Sequence, residues 1–220
     1  STEFDDQLWV SGPTGVGFEG GGASNIIAYG NLVGASGTAS FPGSLGHDFV
    51  VHSPITVTHL GVFDSDADGL KRTLTAEIWS RSGDTGIKLV DLEFTAADPG
   101  ARVDSNRLKS LSSPLTLGTG DYSIVAHGYG TGELAGNEGF AGPSSTFKTL
   151  DDGGGAISFV GSSRLGVSAG NFPGSPQVSG TVNFYSAGTF QFNTGGVVSG
   201  AIATLSLIHI SEPTRRYAIS

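Results

Sequence analysis

The sequence predicts an all-β protein: a β-sandwich, jelly-roll-like and predominantly antiparallel, of about eight to ten strands. Three observations predict it. Gly is 36 of 220 residues, about twice the usual share, and Val, Ile, Thr and Phe are abundant, which is the composition of short strands joined by turns. Apolar and polar residues alternate with a period of two over several runs of strand length. No stretch keeps a helical period over a useful length. A chain of 220 residues buries roughly 70% of its unfolded surface if it folds as one domain, so a core can form without staples. The chain has no Cys, which excludes disulfides, thiolate metal sites and a Cys nucleophile.

Taken in order, residues 1–25 are turn-rich, with Gly12-Pro13 and Gly20-Gly21-Gly22. GVGFEG, from Gly15 to Gly20, matches the GxGxxG pattern of dinucleotide sites. That fingerprint needs a strand before it and a helix after it; here a Pro precedes and two more glycines follow, so it reads as a loop. Asn25–Val33 is apolar enough for a strand, and 34–46 reads as a loop. Alternation becomes clear from Asp48. In ITVTHLGVF, Ile55 and Val57 share a face with His59, while Leu60 and Val62 lie on the other, which predicts a bulge or bend near His59-Leu60. Leu74, Ala76, Ile78 and Ser80 then alternate with Thr73, Thr75, Glu77 and Trp79.

Ser82–Gly86 reads as a hairpin connection into a strand over 87–95, and Pro99-Gly100 marks the next turn. Further strands are expected over 106–111, 115–117 and 121–128. Residues 128–156 form a long Gly-rich region of the kind that is mobile or functional. Strands over 157–165 and 181–192 close the list, giving a single β-sandwich domain over 1–204 with a Gly-rich N-terminal segment. Residues 205–220, LSLIHISEPTRRYAIS, change character and resemble a translated sequencing-adaptor read-through, a non-native tail in which His209, Arg215 and Arg216 carry no function. The alternative is a native final strand covering a sheet edge.

A net charge of −9 argues against nucleic acid, whose phosphates need a basic face. No apolar run reaches the ~18 residues of a membrane span. The absence of Met, even at position 1, suits a processed N-terminus and allows a removed signal peptide.

The chemistry-bearing candidates start with Asp64-Ser65-Asp66-Ala67-Asp68-Gly69. Asp64, Asp66 and Asp68 stand at alternate positions before a Gly, the spacing of the first three ligands of an EF-hand-like calcium loop. The twelfth position is Thr75 rather than Glu, and strands rather than helices flank the loop, so calcium stands beside a plain acidic, solvated turn. GVSAG, from Gly166 to Gly170, matches the GxSxG nucleophile elbow at Ser168, a pattern that this many glycines produce by chance and that needs a following helix. His47, His52, His59, His127 and His209 show no HExxH-type spacing; His47, Asp48 and His52 are candidates for a polar patch, against surface or strand-packed histidines. Asp91 and Glu93 share a strand face, either as a glycosidase-type pair or as solvated charge. Among Trp9, Trp79, Tyr122, Tyr129, Phe140, Phe184, Tyr185 and Phe190, most are expected in the core, with one or two exposed to stack on sugar rings.

SLGHDFVVHSPITVTHLGVFDSDADGL, AEIWS, SPLTLGTGDYSIVAHG, SSRLGVSAGNFP and YSAGTFQF, in that order over about residues 44–192, resemble a bacterial family of secreted β-sandwich proteins of the PEP-CTERM type. The resemblance implies an extracellular or cell-surface location and a non-enzymatic role in contact with a polysaccharide or matrix component. It carries no catalytic residue; calcium, as a candidate stabiliser of the acidic loop, rests on the spacing of Asp64, Asp66 and Asp68 alone. The PEP, membrane-helix and basic ending of such proteins is not seen here; Glu212-Pro213 falls in the suspected tail. The first expectation is therefore a secreted module contacting glycan or extracellular matrix. A purely structural surface or matrix protein is the alternative, and a glycan hydrolase the second alternative.

Overall fold

The computed structural model describes residues 25–137, 149–176 and 185–194. The Gly15–Gly20 pattern, Trp9, Phe140, Phe184, the start of the last expected strand and the 205–220 tail lie outside the described residues. The elements are β1 (Ile26–Ile27), β2 (Tyr29–Gly30), β3 (Ser44–Val51), β4 (Ile55–Phe63), β5 (Leu74–Ser82), β6 (Thr85–Phe94), β7 (Ala101–Val103), β8 (Asn106–Leu117) and β9 (Gly120–His127). They continue with β10 (Gly136–Asn137), β11 (Thr149–Leu150), β12 (Ile157–Gly166), β13 (Ser175–Pro176), β14 (Tyr185–Ser186) and β15 (Gly188–Thr194). A 3₁₀ turn over Ser65–Ala67 is the only helical element among the described residues, and no described helix is long and apolar enough to cross a membrane.

The fold is all-β and sandwich-like. A five-stranded sheet has the order β1-β15-β4-β8-β7 and a six-stranded sheet the order β13-β12-β3-β9-β5-β6, with short ladders β10-β14 and β11-β2 beside them. Every pairing among the described strands is antiparallel. Leu45, Phe49 and Val51 from β3, Leu74, Ala76 and Ile78 from β5, and Ile124 and Ala126 from β9 form one inner face. Ile55, Val57, Leu60 and Val62 from β4, with Phe190 and Phe192 from β15, form the other, and all belong to one buried cluster. The sheets meet at Phe49 and Phe190, whose ring centroids are 4.9 Å apart. Burying each such ring contributes about 1.5–3 kcal/mol.

The expected bulge in β4 is present, with its register shifting against both β15 and β8 between Val57 and His59. Thr58 is thus the extra residue, one position before the place the alternation suggested. The insertion restores Leu60 and Val62 to the face of Ile55 and Val57. On β8 the same irregularity absorbs Leu111–Pro114, so the two expected runs form one strand, and the proline's missing N–H falls where the ladder is interrupted. The expected strand over Asn25–Val33 is instead two short pieces, β1 and β2, pairing with β15 and β11. Gly61 lets β4 approach its neighbours: a Cβ there would be 2.7 Å from Leu108 Cδ2 and 2.8 Å from Thr189 Cγ2.

Tyr129 fastens the chain after β9 to this core. Its hydroxyl accepts the Phe63 amide at 3.0 Å and lies 2.8 Å from the Ala187 carbonyl, to which it donates. Burial pushes its pKa well above the ordinary phenol value.

Candidate functional site

Asp64 follows β4 and is fully buried, and Arg107 from β8 donates to it through Nε at 2.6 Å; the Gly69 amide adds a longer bond at 3.3 Å. Asp66 accepts the hydroxyls of Ser36 and Ser65, the latter at 3.2 Å. Asp68 pairs with Lys71 at 2.8 Å on the surface. The three carboxylates therefore turn to three different protein partners, and no group of three metal-ligating side chains occurs among the described residues. Two of the three carry a cationic partner and the third carries hydroxyl donors. Glu133 closes the loop from outside, accepting the Ser65 amide at 3.0 Å and the Lys71 amide at 2.8 Å. Burial pushes its carboxyl up, with Asp64 adding to the effect against the pull of the two amides.

The histidines are dispersed. Strand alternation turns His47 inward, where Nδ1 lies 3.0 Å from Ser163 Oγ, and turns Asp48 outward, so the expected patch of His47, Asp48 and His52 does not form. His52 is exposed, 2.8 Å from Ser158 Oγ, and Ser158 lines a groove of about 520 Å³ with Leu150, Asp151, Asp152, Ile157 and Phe159. His59 sits between Thr58 and Ser110 hydroxyls, each 2.9 Å away. Asp91 and Glu93 are exposed on β6. Ser168 is exposed in a bend after β12 with no helix following, unlike a nucleophile elbow.

The densest polar chemistry lies on the outer face of the six-stranded sheet. Alternation in β5 that buries Ala76 and Ile78 sends Glu77, Trp79 and Arg81 outward; β9 adds Ser123 and His127, β3 adds Asp48, and β12 adds Arg164. Glu77, fully buried, accepts Trp79 Nε1 at 2.9 Å and Lys88 Nζ at 3.0 Å, with His127 Nε2 at 3.5 Å. Burial alone would raise its carboxyl, but the hydrogen bonds from His127, Lys88 and Trp79 outweigh it and hold the pKa below the ordinary glutamate value. Lys88, paired to Glu77, is correspondingly raised. Asp48 accepts Ser123 Oγ at 2.6 Å and Arg164 Nε at 2.7 Å, and Arg164 continues to Asp84 at 2.9 Å and the Gly83 carbonyl at 3.0 Å.

The chain between β12 and β13, residues 167–174, crosses this face. Phe172 lies against Trp79, with ring centroids 5.6 Å apart and planes at 57°, and the Arg164 guanidinium is 5.5 Å from the Phe172 ring. Of the aromatics expected to be core, Tyr129, Tyr185, Phe190 and Trp79 are buried, and Tyr122 is half-buried against Phe49. The exposed large apolar side chains among the described residues are all aliphatic. Sequence reading missed this cluster. Its signal was Glu77 and Trp79 two positions apart on the polar side of β5, and an isolated Phe in a Gly- and Pro-flanked segment.

No protein-family model, curated protein or solved structure matches the chain.

Proposed function

We propose that the protein is a secreted, non-catalytic β-sandwich module that contacts a glycan or polysaccharide matrix through the outer face of its six-stranded sheet. One observation carries this reading: the Trp79 indole, bonded to Glu77 and lying beneath Lys88, shares the outer sheet face with the Asp48–Arg164 ion pair. A sugar ring presents flat C–H faces and hydroxyls that both donate and accept, and this set offers apolar area, cations and carboxylates together. Glu77 has the wrong tuning for a glycosidase acid, which needs a raised pKa, whereas its neighbours hold it low. The resemblance over residues 44–192 supports the extracellular setting.

A structural surface or matrix role is the second reading, favoured by Trp79 being only 8% exposed. A pull-down of the protein on cellulose, chitin, xylan and alginate, with calcium and with a chelator, separates the two. Retention lost in Trp79→Ala supports glycan contact; absence of retention on all four moves the reading to the structural role.

A further inference from the structure

We infer that residues 167–174 are a displaceable strap, and that Phe172 occupies the place on Trp79 that a pyranose ring takes on binding; this rests on the glycan reading above. Phe172 covers the indole at a tilt of 57° and also lies 5.5 Å from the Arg164 guanidinium. The seat is shaped for it: a Cβ on Gly86 would lie 2.5 Å from Phe172 Cδ2, and its three nearest atoms would all belong to that ring. Gly86 is on β6 and its φ lies outside the left-handed region, so the missing side chain makes room for Phe172 rather than for a backbone turn.

The strap lifts without unzipping the sheet. Its two ends are held in ladders, Gly166 opposite Ser44 and Ser175 opposite Leu165. Between them, Ser168 lends its carbonyl to Ser44 Oγ at 3.2 Å and to the Asn171 amide at 3.4 Å, within the strap itself. Val167 is 86% exposed. The charges beneath are satisfied without the strap: Glu77 by Trp79, Lys88 and His127, Arg164 by Asp48, Asp84 and Gly83. Opening thus leaves no stranded ion; it gives up the Ser44 hydroxyl bond to Ser168 and the packing of buried Pro173, together with an aromatic pair and a cation–π contact that a sugar ring on Trp79 replaces in kind. The strap makes the site a closed one that a flat, hydroxylated ring opens by competition.

The test uses the full chain in a Trp9→Phe background, since the chain holds two Trp. Gly86→Ala dislodges Phe172 without altering a contacting group, and Phe172→Ala removes it; melting curves establish that each folds, and either folded variant suffices. Acrylamide quenching of Trp79 is expected to rise in both. Binding of cello-, chito-, xylo- and alginate oligosaccharides, read by Trp79 fluorescence, is expected to tighten about tenfold if the open state is about a tenth of the parent population. Unchanged quenching overturns the strap. Equal binding by parent and variants overturns the occlusion while leaving the glycan reading standing. Raised quenching with no oligosaccharide binding in any protein overturns the ligand and the glycan reading together.

Discussion

Arg107 Nε lies 2.6 Å from Asp64 Oδ2, joining β8 of the five-stranded sheet to the start of the acidic loop through a fully buried carboxylate. Asp64 thereby has its counter-charge from the protein. Arg107→Met leaves that carboxylate buried and unpaired and is expected to destabilise the fold by about 3–5 kcal/mol in denaturant unfolding, with Asp64→Asn in the same chain restoring part of it. Because the charge balance is internal, melting of the parent is expected to be the same with calcium and with a chelator. A calcium-dependent rise that Asp66→Ala abolishes would put a metal in the loop.

Glu133 spans the loop by accepting the amides of Ser65 and Lys71, one on each carboxylate oxygen. Gln at this position keeps one acceptor and points an amino group at the other N–H, so Glu133→Gln is expected to cost about 1–3 kcal/mol by equilibrium unfolding. The pH dependence has a definite sign. A carboxyl raised in the folded state binds more protons there than in the unfolded chain, so its contribution falls as pH rises from 4.5 through the raised pKa. The stability difference, parent minus Glu133→Gln, should decline across that window.

Glu77 titrates in the opposite sense. Its pKa is held below 4.5, so its pairing with Lys88, Trp79 and His127 stabilises the fold above that pH and is lost as pH falls through the depressed value. Parent minus Glu77→Gln is therefore expected to be constant near neutrality and to shrink below about pH 4.5. A flat difference down to the acid transition would show that Glu77 is not held low.

The strand pattern was legible in the sequence because side-chain alternation is a property of neighbouring residues. Ile55, Val57, Leu60 and Val62 even announced a bulge, displaced by one position because alternation shows that a phase change occurs but not which residue is extruded. Asn25–Val33 misled for a related reason: apolar content suits a strand, but which strand edges are free to pair it is decided elsewhere in the chain. The acidic loop was visible as a triplet of carboxylates, and its partners were not. Arg107 is 43 residues from Asp64, and Glu133 is 68 from Ser65.

By itself the sequence determined an all-β chain, the approximate extent of its main strands, which side of β5 is polar, and the presence of an acidic loop. Only the tertiary structure decided that Asp64 meets Arg107, that Glu133 closes the loop, and that Phe172 covers Trp79 from a segment 93 positions further along the chain, 172 against 79. The physical reason is that alternation sets which face a side chain takes, whereas its partner depends on strand order and register across the sheet, and those are fixed by packing the two inner faces together.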